Sequence, residues 1–209
     1  MNARRGRPRD PDTDARILRV AGEQLLERGY TAFTVDHVAE IAGVAKTTLY
    51  RRWPTRDHLA IAVIGRGQEE IEIADTGDLR ADLIDFMAQI AAALNRTRRA
   101  GRAADDQDDQ DDQDGQSAGL VAELVAAAAR HPDIGTLVRD LFDKRIALAV
   151  ARIEAARRRG EVRSDSDPHL LVDQLAGALY YRILITGKPI DRRYATHLVD
   201  AAFAGVLPR

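Results

Sequence analysis

Apolar positions along the chain recur every three to four residues, and strict alternation appears nowhere. Ile17, Leu18, Ala21, Leu25 and Leu26 share one helical face. Asp12 or Thr13 can cap that helix and Gly29 can stop it. A second, short helix is expected over residues 35–42, with Val35, Val38, Ala39 and Ala42 as its apolar face, Thr34 as its cap and Gly43 as its break. A third short helix is expected over 45–51. It ends there because Pro54 pushes Trp53 away from helical conformation. Thr55 can cap a fourth helix from residue 56 into 71–73, with Leu59, Ile61, Ala62, Val63 and Ile64 as its apolar surface.

The second half repeats the theme. Asp78 caps a helix over 79 to about 94. Further helices are expected over 120–130, from 133 or 134 to about 159, over 168–186 and over 191–206. Asp167 followed by Pro168 is a cap with proline at the first helical position, and Gly160 and Gly187 are stops. The fold class is therefore all-α. Two stretches break the pattern. Residues 1–11 are basic, contain Pro8 and Pro11, and read as a flexible arm. Residues 95–119 are nearly free of apolar side chains, so burial cannot offset the entropy of ordering them, and they are expected to be disordered.

Charge changes this picture only once it is divided. The net charge over 209 residues is −2, which argues against a nucleic-acid binder. Residues 1–66, however, hold 12 basic and 8 acidic side chains, a net of +4, and residues 67–209 hold 19 and 25, a net of −6. Seven of those acids form one tract: Asp105, Asp106, Asp108, Asp109, Asp111, Asp112 and Asp114. The tract reads as a solvated inserted loop; competition with DNA for the basic arm (Arg4, Arg5, Arg7 and Arg9) is the sharper alternative. Aligned on Gly115, it lacks the distal Glu of a calcium loop. The absence of cysteine excludes disulfides and thiolate sites. No run reaches the ~18 apolar residues of a spanning helix and no signal peptide is evident, so a cytoplasmic protein is expected. The five histidines show no metal-ligand spacing and no nucleophile motif is present. The reading therefore carries no enzyme activity, no metal and no cofactor.

The informative stretch is 34–59, TVDHVAEIAGVAKTTLYRRWPTRDHL. Two short helices joined by a glycine turn are the helix-turn-helix layout, whose second helix enters the major groove of DNA. That places Lys46, Thr47 and Thr48 at base edges and Tyr50, Arg51 and Arg52 near phosphates. Thr34 and Arg56 stand at helix N-termini, which favour phosphate.

AGVAKTTLYRRWPTRDHL resembles the signature of the TetR-type (tetracycline-repressor-like) transcriptional regulators, over roughly residues 15–62. By position, the resemblance implies DNA contacts at Thr34, Lys46, Thr47, Thr48, Tyr50 and Arg56. Trp53 stands where Phe is commoner, Arg56 where Lys is common, and His37 where a β-branched or polar residue is frequent. GDLRADLIDFM, ARRRGEVR and DPHLLVDQLAGALYYRILITGKPID resemble one type of C-terminal domain in that family, which usually has only a short connection where this chain carries 95–119. The resemblance implies a helical ligand-binding and dimerisation domain whose last two helices form a four-helix bundle with a partner.

The domain division expected is a flexible arm at 1–11, a three-helix helix-turn-helix DNA-binding domain at 12–66, and a helical-bundle regulatory domain at 67–209 carrying the acidic insertion. A ligand pocket between bundle helices would involve Phe86, Phe142 and Tyr180 first, and His131 could line an entrance. The dimer face is expected on helices 168–186 and 191–206, whose apolar residues, among them Leu170, Leu171, Leu175 and Leu179, exceed what a monomer needs. The function expected is a homodimeric regulator, a repressor, bound to an inverted-repeat operator and released by a small-molecule effector. The alternative is a helical small-molecule-binding or scaffolding protein without sequence-specific DNA binding.

Overall fold

The computed structural model describes residues 11–69, 71–105 and 119–204. Among them the chain is helical throughout, without a strand: α1 (Pro11–Arg28), α2 (Val35–Ile41), α3 (Lys46–Arg52), α4 (Arg56–Glu69), α5 (Leu79–Asp105), α6 (Leu120–Arg130), α7 (Pro132–Arg159), α8 (Pro168–Tyr180) running into a π-helical turn (Tyr181–Ile185), and α9 (Arg192–Phe203). Residues 1–10 of the arm expected at 1–11, most of the acidic tract and the C-terminal 205–209 lie outside the described residues, while Pro11 of that arm opens α1.

Thr34, Thr55, Asp78 and Asp167 cap their helices as the sequence reads, whereas α1 starts at Pro11, ahead of the Asp12 or Thr13 read as its cap. Thr34 Oγ1 accepts from the His37 N–H at 3.3 Å. Asp78 accepts from Ala81 at 3.0 Å, Asp167 from His169 at 2.9 Å, and Asp191 from Tyr194 at 2.7 Å. Each satisfies a backbone donor that the first helical turn leaves unpaired. Gly160 closes α7 at φ 79°, a conformation that costs glycine nothing.

Three further elements differ from expectation. α4 stops at Glu69 and does not reach 71–73: Ile71 turns into the C-terminal core, and the Glu72 backbone pairs with the side-chain amide of Gln89 at 3.0 and 3.4 Å. α5 does not stop near Leu94 but continues to Asp105, so 95–105 is helical rather than disordered. Asn95 gives part of the reason. Its amide donates to the Ile190 carbonyl at 2.5 Å and accepts from the Ile190 N–H at 3.2 Å, tying α5 to the loop before α9. The single helix expected over 168–186 is α8 followed by the π turn, where the Thr186 N–H reaches back to Tyr181.

Two apolar clusters fill the molecule. The first joins Ile17 and Val20 of α1, Val38 of α2, Leu49 of α3 and Leu59 of α4, with half-buried Trp53 against it. It does not end with α4, because Leu120 and Leu124 of α6 and Ile134 of α7 belong to it. The second cluster is built by α5, α7, α8 and α9. Most apolar residues expected to be surplus on the last two helices are used here: Leu171, Leu175, Leu179, Val199 and Phe203 are buried in the chain's own core. What stays exposed is Leu170, Tyr181 and Ile185.

A buried ion pair locks α5 to α7. Arg152 donates to Asp82 at 2.9 and 2.5 Å, with both side chains almost wholly buried. Asp82 also accepts from the Thr76 hydroxyl at 2.6 Å and backbone at 3.2 Å. Burial pushes the Asp82 carboxyl up, but the hydrogen bonds from Thr76 and Arg152 outweigh it and hold it below the usual carboxylate range.

Candidate nucleic-acid interface and interior cavity

α2 and α3 are seven residues each, too short to persist alone in water. Their geometry is set by packing. Val38 and Leu49 are fully buried between them and α1, and Gly43, at φ 64°, makes the turn. The Val44 N–H returns to Ala39 and the Gly43 N–H to Glu40, so the end of α2 is satisfied before α3 begins.

With Leu49 facing inward, Lys46, Thr47, Tyr50 and Arg51 stand exposed on the outer face of α3, and Thr48 is half-buried. Thr34 and Arg56 are exposed at the starts of α2 and α4. Arg51 has no partner among the described residues. Arg56 lies over the Tyr30 ring at 4.6 Å from its centre and reaches the Thr31 carbonyl at 3.5 Å. Arg52, grouped with the phosphate contacts from spacing, instead points to α1 and pairs with Asp14.

Asp36 on α2 stands inside this basic face and was missed from the sequence. Its carboxylate accepts from Lys46 Nζ at 2.6 Å and from the Tyr50 hydroxyl at 3.0 Å. The hydrogen bond from Lys46, then that from Tyr50, holds the Asp36 carboxyl below its ordinary value. The same contacts raise Lys46 and Tyr50. The signal available was an acid one helix away from the reading residues; only the angle between α2 and α3 makes it a partner.

Deeper in the molecule lie two neighbouring chambers. The outer, about 230 Å³, is walled by α1 and α4 (Leu25, Val63, Ile64), by α6 (Leu124), and by α5 and α7. The inner, about 140 Å³, lies between α5, α7 and α8. Phe86 lines the inner chamber, while Phe142 and Tyr180 line both. These two rings meet edge to face at 5.4 Å. Arg145 lines both chambers as well and donates to the Tyr180 hydroxyl at 3.3 Å. His131 lines neither; it is the exposed residue between α6 and α7.

A glycine-turned helix pair packed in one apolar core with α1 and α4, with a second helical core beyond it, is the architecture of a helix-turn-helix DNA-binding regulator. Two family models match the chain: bacterial regulatory proteins of the tetR family over residues 17–63, and the tetracyclin repressor-like C-terminal domain over 107–202. The chain is 30% identical to the HTH-type transcriptional regulator YdeS of Bacillus subtilis, over 99% of this chain and 96% of that one. It is also 30% identical to a DNA-binding transcriptional repressor TetR of Mycobacteroides abscessus, over 89% of each. Its fold matches the crystal structure of the TetR family transcription regulator SCO0332 with a TM-score of 0.75 at 36% identity, covering 94% of this chain and all of that one. The chain belongs to the TetR family of DNA-binding transcriptional regulators. Among the described residues no helix is long and apolar enough to cross a membrane.

Proposed function

We propose that the protein is a repressor that binds an inverted-repeat operator as a homodimer and leaves it when a small molecule occupies the interior chambers. The observation that carries the ligand response is the wall of the outer chamber. It is shared by α4, whose first residue is Arg56 at the DNA face, and by α5, α6 and α7 of the second domain. An occupant there touches both domains at once. If it prefers an α4 position that spoils the spacing of the two heads, DNA is released, with a coupling of roughly 1–3 kcal/mol typical of such linkage.

In this reading Lys46, Thr47 and Thr48 meet base edges, and Thr34, Tyr50, Arg51 and Arg56 meet phosphates. The exposure of Lys46 and Thr47 at the start of α3, with Thr48 half-buried beside them, supports it. A two-fold dimer imposes two-fold symmetry on its site. The exposed apolar residues of α8 and the π turn are its contact surface. The name of the Mycobacteroides abscessus relative supports repression over activation.

The test is capture of genomic fragments by the purified protein, followed by sequencing of what is retained. An inverted repeat common to the fragments, upstream of genes whose transcription rises when the protein is removed, is the expected result. Retention without a shared sequence, or transcription that falls, refutes the proposal.

A further inference from the structure

Arginines interrupt the inward, apolar stripe of α7 at two places. Arg145 and Arg152 are two turns apart on one face. Arg152 is met by two carboxylates, Asp82 at 2.5 Å and Asp75 at 3.2 Å. Arg145 has no carboxylate partner among the described residues. Its contacts are the Tyr180 hydroxyl at 3.3 Å and the Phe142 ring at 6.0 Å from its centre. Its Nε is buried and donates to nothing. Among the described residues neither chamber has an acidic side chain in its wall; besides the Tyr180 phenol, the described ionisable groups lining them are Arg145 and Arg96. Burial lowers the Arg145 guanidinium from its ordinary value, the mark of a cation without a counter-charge. A guanidinium with a spare donor, facing an apolar space, is an unfinished anion site.

We infer that the effector is a compact apolar molecule bearing one carboxylate. The head group sits on the Arg145 fork beside Tyr180, and the apolar body lies in the outer chamber. A planar carboxylate matches the two-pronged guanidinium and supplies the acceptor that Nε lacks. The two chambers, separately small, together exceed the roughly 300 Å³ lower bound of small-molecule sites when joined through Phe142 and Tyr180. The inference gives a chemical class to the effector of the release mechanism and rests on that reading for its regulatory consequence, though not for binding itself.

The experiment is calorimetry on the full chain at neutral pH with two acids and their neutral counterparts: decanoate beside 1-decanol, and 1-naphthoate beside 1-naphthalenemethanol. At least one acid is expected to bind about tenfold or more tighter than its alcohol. Arg145→Met should abolish that preference and leave alcohol affinity unchanged. Arg145→Lys should keep part of it. No binding of either acid at millimolar concentration, equal affinity for acid and alcohol, or a preference that survives in Arg145→Met overturns the inference. Thermal unfolding supplies the second readout. Without ligand, Arg145→Met should melt at or above the wild type, since it removes an uncompensated buried cation; a lower melting temperature assigns Arg145 to folding and also overturns it. Release is scored separately on operator DNA. Acids that bind through Arg145 yet leave DNA bound defeat the release mechanism while the anion site stands. Release by a compound that ignores Arg145, with no acid binding, does the reverse.

Discussion

Asp36 is a single carboxylate on the exposed face that is proposed to meet DNA. It neutralises Lys46 and holds Tyr50 while the face is unoccupied. Replacing it removes a repulsion and frees a cation. Asp36→Ala is expected to raise affinity for random-sequence duplex at low salt by roughly fivefold, about 1 kcal/mol for one exposed charge near phosphate. Fluorescence anisotropy checks this, and an unchanged or weaker affinity counts against it. Asp82 illustrates the opposite case, a charge that serves the fold. Asp82→Asn leaves Arg152 buried with an impaired partner and should cost about 3–5 kcal/mol in urea unfolding at neutral pH. The pH dependence has a definite sign. The folded carboxyl is depressed, so its contribution is complete above the ordinary aspartate range and is lost as pH falls through the depressed value. The gap between wild type and Asp82→Asn should therefore close in acid; a gap constant down to the acid limb would show that the carboxylate's charge is not what stabilises.

At the scale of elements, the reading helix depends on its support rather than on its own propensity. α3 has seven residues, a cap at Ala45 without a side-chain hydrogen bond, and one fully buried side chain, Leu49. Leu49→Ala is expected to cost about 2–5 kcal/mol of stability and to lower affinity for operator and random DNA together. Chemical unfolding followed by DNA titration of the folded fraction separates the two effects. Loss of affinity for the operator alone would mean that Leu49 sets base readout and not the seat of the helix. The helix boundaries that sequence located well are those with chemical punctuation: Thr34, Gly43, Asp167 with Pro168, and Gly160. Two of those it misplaced, the ends of α4 and α5, lack it. α4 ends where Ile71 finds a core and the Glu72 backbone finds Gln89, and α5 runs on through Asn95 because that amide has a backbone partner 95 residues away. Neither partner is local, so no window along the chain contains the cause.

Across the whole molecule, the first core does not stop at the helix-turn-helix but takes in α6 and the start of α7. The outer chamber lies against that shared wall, which is why an occupant there can reach α4. The surface offered to a second copy is smaller than the sequence suggested. Leu171, Leu175 and Leu179 are spent inside, and Leu170, Tyr181 and Ile185 remain, with Leu170 and Tyr181 about three turns apart on one side. The wild type should scatter light with twice the chain mass at micromolar concentration. Tyr181→Glu combined with Ile185→Glu should bring the mass to that of one chain and abolish operator binding, while helicity by circular dichroism is retained. A double variant that remains dimeric moves the interface elsewhere.

By itself the sequence determined the all-α class, the helix-turn-helix and most of the residues on its outer face, though not Arg52 or Asp36. Those follow from periodicity, caps and glycine turns, which act over a few residues. It also supplied Phe86, Phe142 and Tyr180 as pocket candidates from their apolar character. Tertiary structure alone decided which charges matter. Spacing placed Arg52 near phosphates and singled out neither Arg145 nor Arg152. Packing gave Arg52 to Asp14, Arg152 to Asp82 and Asp75, and left Arg145 with a phenol, a ring and an empty donor. The value of a charge depends on what surrounds it in space, and in this chain the partners come from helices far apart in sequence.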